Sequence, residues 1–273
     1  MLLASKAFQL SSNAEPLLPQ PESLAPLWEA GIKPRQGQLI MVAGRSGSQK
    51  SGFALFWVAE MGLSTLYLSG DSTPFEMTAR LASMASGETI EEIESELAYA
   101  GPERYASLIE QMDITFCFRS PITWLEIDRQ LDAYVELHNR YPEVVVVDNF
   151  MDIEYCDSDY QAQMDAMQNL TSICRDTGVT MIVLHHATDK TGTADQLPGL
   201  PPPRAQIKGG LSEKPQLILT VALWSDPLSG MPPELRVAAV KQRSGFSDPA
   251  AKNPVTLIAD PERTRFRPPA VAR

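Results

Sequence analysis

The chain has 273 residues, 44% hydrophobic and 21% charged, which is an ordinary globular composition with enough length to bury a sizeable core. No stretch approaches the roughly 18 consecutive apolar residues of a membrane span, and the opening MLLASKAFQLSS lacks the pattern of a secretory signal, so we expect no membrane contact. The formal net charge of −11 argues against a protein that grips phosphate backbones as a monomer, because that task usually needs a basic surface.

The chain divides by composition into three parts. Residues 1–26 contain four prolines and little periodicity, which predicts an extended N-terminal arm placed to pack on a neighbouring subunit. Residues 27–267 carry the regular patterns of one α/β domain, and residues 268–273 are interpreted as a flexible tail. We therefore expect a single folded domain without an internal repeat.

From Gly37 onwards, short apolar runs alternate with amphipathic stretches. The apolar runs that predict strands are residues 38–44, 64–71, 113–120, 143–150 and 179–186. The stretches with helical spacing are residues 51–62, 73–87, 89–100, 123–141 and 161–178. Because the strands are continuous apolar runs rather than alternating ones, they predict a mostly parallel sheet covered by helices on both faces.

The second half of the chain departs from this alternation. Residues 187–210 are rich in proline, glycine and polar residues, and a loop of that length is usually functional or disordered. Residues 217–224, 234–243 and 254–260 then predict a closing set of strands, antiparallel in part. The predicted fold is therefore a parallel α/β sheet with a C-terminal antiparallel extension.

A candidate phosphate-binding loop lies between the first strand and the first long helix, which is the context that such a loop needs. Its residues are Gly44, Arg45, Ser46, Gly47, Ser48, Gln49, Lys50 and Ser51. They meet the pattern GxxxxGK[ST] except that Gln49 replaces the last glycine. Lys50 is placed to reach the β- and γ-phosphates of ATP, and the Ser51 hydroxyl to hold Mg²⁺. The alternative is a serine-rich turn with a chance Lys-Ser pair.

Polar side chains also follow three of the predicted strands. Asp148 ends the run VVVVD and is the candidate acid for organising Mg²⁺, because carboxylates at the carboxyl ends of strands face the ligand in open α/β sheets. Asp71 ends LYLSGD and is a candidate general base, although Asp-Ser-Thr-Pro is also typical of a helix cap. His185 and His186 end VTMIVLHH, where one of them is a candidate sensor of the γ-phosphate.

These motifs resemble the RecA-like motor domain of hexameric replicative helicases of the DnaB type, over roughly residues 24–267. The resemblance implies a RecA-like P-loop NTPase fold. It places the catalytic carboxylate on Asp71, an arginine on Arg80, Mg²⁺ organisation on Asp148 and the polar sensor on His186, with His185 as the alternative. The family normally has Glu at the position of Asp71.

The segment Val-Lys-Gln-Arg-Ser-Gly at residues 240–245 resembles the family's K-x-R-x-G hairpin, which reaches the nucleotide of the adjacent subunit. The resemblance implies that Arg243 is an arginine finger and Lys241 its companion. The loop at 187–210 occupies the family's place for DNA contacts, so Lys190, Arg204 and Lys208 are the candidate cations, with a surface loop as the alternative.

The function implied by the resemblance is an ATP-hydrolysing, oligomeric motor on single-stranded DNA, a helicase or translocase of replication or recombination that uses ATP and Mg²⁺. The expected assembly is a homo-oligomer, which in the family is a six-membered ring. The alternative is an ATP-switched DNA-binding or assembly protein with slow hydrolysis and no unwinding, which Gln49 and Asp71 favour. Three widely spaced cysteines predict buried thiols and a cytoplasmic location, the host cytoplasm if the protein is phage-encoded.

Overall fold

The computed structural model describes residues 16–157, 159–188, 199–226, 228–243 and 245–270, and of residues 208–210 the backbone alone. Within these residues nine strands form one sheet. They are β1 (Leu39–Gly44), β2 (Thr65–Ser69), β3 (Ile114–Phe118), β4 (Val144–Asp148), β5 (Thr180–His186), β6 (Leu217–Trp224), β7 (Glu234–Gln242), β8 (Val255–Asp260) and β9 (Arg265–Arg267).

The strand order is β3-β2-β4-β5-β1-β6-β7-β8-β9. All pairs from β3 across to β6 are parallel, and the pairs from β6 to β9 are antiparallel. This arrangement confirms the predicted α/β fold with its parallel RecA-like sheet and C-terminal antiparallel extension.

Helices cover both faces of the sheet. They are α1 (Ala25–Glu29), α2 (Lys50–Met61), α3 (Pro74–Ser86), α4 (Ile90–Ala100), α5 (Glu103–Ile109), α6 (Trp124–His138) and α7 (Tyr160–Thr177). Short 3-10 helices span Glu22–Leu24, Phe150–Asp152, Arg204–Gln206, Lys208–Glu213 and Pro261–Arg263. Among the residues that the structure describes, none of the helices combines the length and apolar character needed to cross a bilayer.

Alternate residues of the central strands feed two separate cores. In β1, Ile40 and Val42 join the apolar cluster on the face covered by α2, whereas Leu39 and Met41 join the cluster on the face covered by α6 and α7. All four side chains are fully buried. Burial on both faces explains why the strands are uninterrupted apolar runs in the sequence.

The antiparallel extension covers the helix that follows the candidate phosphate loop. The ring of Phe266 in β9 packs edge-on against Phe53 and Phe56 of α2, at centroid distances of 5.8 and 5.4 Å. Because Phe266 is only 1% exposed, this contact closes the apolar core over α2.

The folded body begins before the predicted boundary at residue 27. Leu18 and Leu24 are buried in the core that holds α2, and Leu17 forms an isolated antiparallel β-bridge with Arg35. Four prolines and little periodicity suggested an extended arm. Burial of the apolar side chains of Leu18 and Leu24 in this domain is favourable, because it removes their surface from water. Residues 1–15 of the predicted arm lie outside the described residues.

Two short helices and one short strand were not predicted. The helices α1 and α5 have five and seven residues and β9 has three, which are too few for a periodic pattern to register. The described ends of the loop 187–210 meet, because Ala187 bridges Ile207 and the Thr188 amide donates to the Gln206 carbonyl at 2.9 Å.

Candidate functional site

The loop Gly44–Ser51 turns from the carboxyl end of β1 into the first turn of α2. Gly44 lies so close to Ser48 that a Cβ would stand 2.3 Å from the Ser48 Oγ, which explains the glycine. Gly47 and Gln49 both have left-handed backbone conformations, with φ of 71° and 62°. Gln49 therefore occupies a position whose backbone conformation suits glycine better than a residue with a Cβ.

Lys50 is buried at the first position of α2, with 8% of its surface exposed. Its Nζ donates to the Arg45 carbonyl at 3.2 Å. The Arg45 guanidinium in turn donates from Nη2 to Gln206 Oε1 at 2.8 Å. The phosphate loop is thus hydrogen-bonded to the carboxyl-terminal base of the 187–210 loop.

Asp148 ends β4 beside the phosphate loop and is 4% exposed. The Tyr67 hydroxyl donates to its Oδ2 at 2.8 Å, and the Ser51 hydroxyl lies near its carboxylate. Burial raises the pKa of Asp148, while the neighbouring Ser51 and Tyr67 hydroxyls and the charges of Lys50 and Arg80 lower it. Burial, and then the charge of Asp148, raise the pKa of Tyr67 well above its usual value, so Tyr67 is a donor.

The phosphate loop opens into a cleft of about 250 Å³ at the carboxyl edge of the sheet. The residues that line this cleft are Ser46, Gly47, Ser48, Gln49, Lys50, Ser51, Gly52, Asp71, Ser72, Arg80 and His186. Asp71 lies exposed at the bend after β2, and His186 pairs with Gly44 across the β5–β1 ladder. The structure therefore brings Lys50, Ser51, Asp71, Arg80 and His186 together, as the sequence predicted. Asp148 lies directly behind them.

The alternative sensor, His185, points away from this cleft. It is completely buried, and its ring contacts Phe150 edge-on at 5.5 Å. Side chains of adjacent strand residues point to opposite faces, so only one histidine of the pair reaches the cleft.

Asp152 is a further carboxylate at this edge. Its Oδ2 accepts from the Asn149 amide at 3.0 Å, and its side chain packs so closely on Gly70 that a Cβ there would stand 2.8 Å away. Its pKa is raised first by burial; the Asn149 hydrogen bond lowers it, and the charge of Asp71 raises it further. Asp152 thus adds a second carboxylate near the candidate base Asp71.

Lys241 and Arg243 lie at the opposite edge of the sheet. Leu217 pairs with Gln242 on one side and lies beside Ile40 on the other, so the end of β7 lies level with the start of β1. The phosphate loop begins about five residues further along β1, or ~16 Å away at the usual rise of a strand. Neither cation reaches the cleft of its own chain.

The two cations differ in their surroundings. Lys241 Nζ donates to the carbonyls of Ser212 and Glu213 at 2.8 and 2.5 Å. Burial first, and then the positive charges of Arg204 and Arg243, lower the pKa of Lys241 to about 8. Arg243 is exposed, and its amide donates to the Gln216 carbonyl at 3.1 Å.

Of the three predicted nucleic-acid contacts, the structure describes the side chain of Arg204. Its guanidinium donates to Ser212, from Nε to Oγ at 3.1 Å and from Nη2 to the carbonyl at 3.3 Å. Arg204 therefore lies beside Lys241, with which it shares the Ser212 carbonyl. Lys190 and the side chain of Lys208 lie outside the described residues.

The groups at the carboxyl edge fit a magnesium nucleotide. Backbone amides at the start of α2 and the Lys50 ammonium suit phosphate oxygens. The Ser51 hydroxyl and the Asp148 carboxylate supply hard oxygen ligands and lie close to one another.

Sequence reasoning missed three polar residues of this region, Tyr67, Asp152 and Gln206. Tyr67 carried a weak signal, since it is the single polar-tipped aromatic in the apolar run of β2. Asp152 carried another weak signal, because it follows Asp148 closely in the chain. Gln206 carried no local signal, because its contact with Arg45 spans 161 positions of the chain.

Comparison with known sequences identifies relatives of this chain. The sequence profile of the AAA domain matches residues 4–192. The Gene 65 protein of Mycobacterium phage L5 is 31% identical over 245 residues, covering 86% of this chain and 89% of that protein. The Gene 65 protein of Mycobacterium phage D29 is 30% identical over 224 residues, covering 80% and 94%.

Solved structures show the same fold at low sequence identity. One solved ATPase domain superposes with a TM-score of 0.74 at 16% identity, covering 97% of this chain and 96% of that one. A DnaB-like replicative helicase, described with its interactions with primase, gives a TM-score of 0.73 at 16% identity, covering 97% and 65%. The KaiC-like protein PH0186 from Pyrococcus horikoshii OT3 gives 0.53 at 15% identity, covering 85% and 89%.

Proposed function

Since the chain belongs to the AAA domain family, we propose that it is an oligomeric, ATP-hydrolysing motor that acts on single-stranded DNA, as a helicase or translocase of DNA replication or recombination. The observation that carries the proposal is the division of the site between two edges of one sheet. Lys50, Asp71 and His186 line the cleft at the carboxyl edge, whereas Arg243 lies at the amino edge. A second subunit is needed to bring the two sets together.

Nucleotide binding is assigned to the phosphate loop. Its amides and Lys50 hold the β- and γ-phosphates of ATP, and Ser51 and Asp148 hold Mg²⁺. When bound, the ion neutralises part of the negative charge that builds up on the phosphates. The buried position of Asp148 excludes water from its carboxylate, which strengthens its attraction for a cation.

Hydrolysis is assigned to Asp71 and His186. Asp71 accepts a proton from the attacking water, and its exposed position at the bend after β2 leaves room for that water. His186, beside Gly44, contacts the γ-phosphate. Through this contact the loop that follows β5 responds to the presence or loss of the γ-phosphate. Arg80, which lines the same cleft, adds positive charge on the side of Asp71.

The transition state is completed from a neighbouring subunit. Arg243 is exposed, in a position to project across an interface, and its fixed charge offsets the charge that develops on the transferred phosphoryl group. Lys241 supports it from the end of β7. We propose that the assembly is a ring of six subunits, in keeping with the family that the sequence resembles.

DNA binding is assigned to the 187–210 loop through Lys190, Arg204 and Lys208. A ring multiplies these few cations in one central channel, which reconciles contact with phosphate backbones with a net charge of −11. The bond from Arg45 to Gln206 supports coupling between this loop and the nucleotide. The host cytoplasm is the proposed location, which the phage relatives support.

The second candidate is an ATP-switched DNA-binding or assembly protein with slow hydrolysis and no unwinding. The left-handed Gln49 favours it, because a side chain at that position of the phosphate loop restricts the approach of phosphate. Asp71 favours it too, since its carboxylate reaches one methylene less far than that of Glu.

The test is the ATPase rate with and without single-stranded DNA, for the wild type and Lys50→Ala. The proposal predicts Mg²⁺-dependent hydrolysis that single-stranded DNA stimulates and Lys50→Ala abolishes. Hydrolysis that DNA does not change would favour the second candidate. A strand-displacement assay on a forked duplex then separates an unwinding motor from one that only translocates or binds.

A further inference from the structure

Tyr67 lies in the middle of β2 and is fully buried. Its strand is paired with β3 on one side and with β4 on the other, where Tyr67 stands opposite Val146. From this position the Tyr67 hydroxyl donates to Asp148 Oδ2 at 2.8 Å. The phenol therefore contacts the acid that ends the neighbouring strand from inside the core.

A buried phenol needs a hydrogen-bond partner, because leaving its hydroxyl unpaired in an apolar core is costly. Here the partner is a carboxylate, which makes the bond charge-assisted and stronger than a neutral one. The ring has little freedom to turn, since it packs against Phe116 at a centroid distance of 5.4 Å. The donor is thus held in place by the same packing that forms the core.

Two hydroxyl groups lie beside the Asp148 carboxylate. The Tyr67 hydroxyl donates to it from the core, and the Ser51 hydroxyl lies near it on the side of the phosphate loop. Because the bond from Tyr67 comes from the core, it would remain when the cleft holds a nucleotide and its ion. Tyr67 therefore restricts the rotation of the carboxylate with or without a ligand.

We propose that Tyr67 is a positioning residue that orients the Asp148 carboxylate to bind the magnesium ion of the nucleotide. This inference rests on the proposed function, because it needs a magnesium nucleotide in the cleft. Partners behind a metal ligand commonly change metal affinity by about 10- to 100-fold when removed, since the ligand must then be ordered on binding.

The experiment uses Tyr67→Phe, which removes the hydroxyl and keeps the ring. A fluorescent ATP analogue is held at fixed concentration and Mg²⁺ is titrated, so that the readout is binding and not turnover. We expect the Mg²⁺ concentration at half-maximal binding to rise about tenfold or more, while binding of the analogue in EDTA stays unchanged.

Tyr134→Phe is the matched control. Tyr134 is also a buried tyrosine, 2% exposed, but it lies on α6 and stacks on His138, away from the cleft. It should leave the Mg²⁺ midpoint unchanged. In an Asp148→Asn background, Tyr67→Phe should have no further effect on the midpoint.

A midpoint within twofold of the wild type, in a folded Tyr67→Phe protein, would overturn the inference while leaving the proposed function intact. Absence of Mg²⁺-dependent binding in the wild type would instead overturn the proposed function. If Tyr67→Phe does not fold, 3-fluorotyrosine at this position keeps the hydroxyl and makes it more acidic. A more acidic hydroxyl is a stronger donor, so that substitution should lower the Mg²⁺ midpoint by a smaller factor, and an unchanged midpoint would contradict the proposal.

Discussion

The two edges of the central sheet carry the candidate catalytic residues in different ways. At the carboxyl edge, Asp148 and Lys50 are buried and are hydrogen-bonded within the chain. At the amino edge, Arg243 is exposed and lies ~16 Å along the sheet from the cleft. One chain therefore orders the groups proposed to bind nucleotide, whereas Arg243, as the proposed finger, would act only at a subunit boundary. Binding and hydrolysis should consequently be separable by mutation.

The largest expected effect comes from Arg243→Ala. Removal of an arginine finger lowers the rate of phosphoryl transfer by about 10³- to 10⁵-fold, whereas nucleotide affinity should stay near that of the wild type. Steady-state ATPase and equilibrium binding of a fluorescent ATP analogue measure the two quantities separately.

Mixing tests whether the finger acts across the boundary. Arg243→Ala subunits retain an intact cleft, and Lys50→Ala subunits retain an intact finger, so mixed oligomers should recover part of the activity. If no mixing ratio recovers activity, the result would contradict a site shared between two subunits.

Asp71→Asn tests the carboxyl edge. A general base contributes about 10²- to 10⁴-fold to a rate, so hydrolysis should fall by that factor with binding retained. Asp71→Glu is the matched variant, since it keeps the charge and adds reach, and it should hydrolyse ATP at least as fast as the wild type. Equal loss in both variants would contradict a role as general base; the helix that follows is capped by Thr73 and not by Asp71.

The pH dependence tests the amino edge. Burial and two neighbouring arginines lower the pKa of Lys241 to about 8, so its charged fraction falls by about tenfold between pH 7 and pH 9. If the charge of Lys241 supports hydrolysis, kcat should fall over this range. Lys241→Arg stays protonated and should move the fall to higher pH; an unchanged profile would show that Lys241 has no such role.

The smallest expected effect is that of Gln49→Gly. A left-handed conformation costs a residue with a Cβ about 1–2 kcal/mol, but glycine loses more freedom on folding, so the net gain in unfolding free energy should be below about 1 kcal/mol. Nucleotide affinity should rise by no more than about fivefold. Gln49→Ala keeps the strained conformation, so neither its unfolding free energy nor its nucleotide affinity should rise. Thermal unfolding and nucleotide titration measure these two quantities.

The sequence predicted best those features that depend on neighbours in the chain. The valines before Asp148 predicted a buried strand, and the run from Gly44 to Ser51 predicted a loop between strand and helix. Both signals are local. The strand ends then placed Asp71, Asp148 and His186 at one edge, because parallel strands share their carboxyl side.

The features that escaped prediction depend on distant parts of the chain. The bond from Tyr67 to Asp148 requires the register between β2 and β4, which no local pattern encodes. The meeting of Arg204 with Lys241 at the Ser212 carbonyl likewise depends on how the short helix at Lys208–Glu213 packs. The three-residue strand β9 became a strand through its partner β8 and its buried phenylalanine.

The cover that Phe266 provides for Phe53 and Phe56 has a consequence for how the protein is made. Translation proceeds at about 5–20 residues per second, so the aromatic side of α2 emerges from the ribosome roughly 10 to 40 seconds before its cover does. During that interval the aromatic side of α2 lacks its cover. The core around α2 is therefore completed late in synthesis, and we expect chaperones that recognise apolar surface to bind the growing chain until β9 arrives.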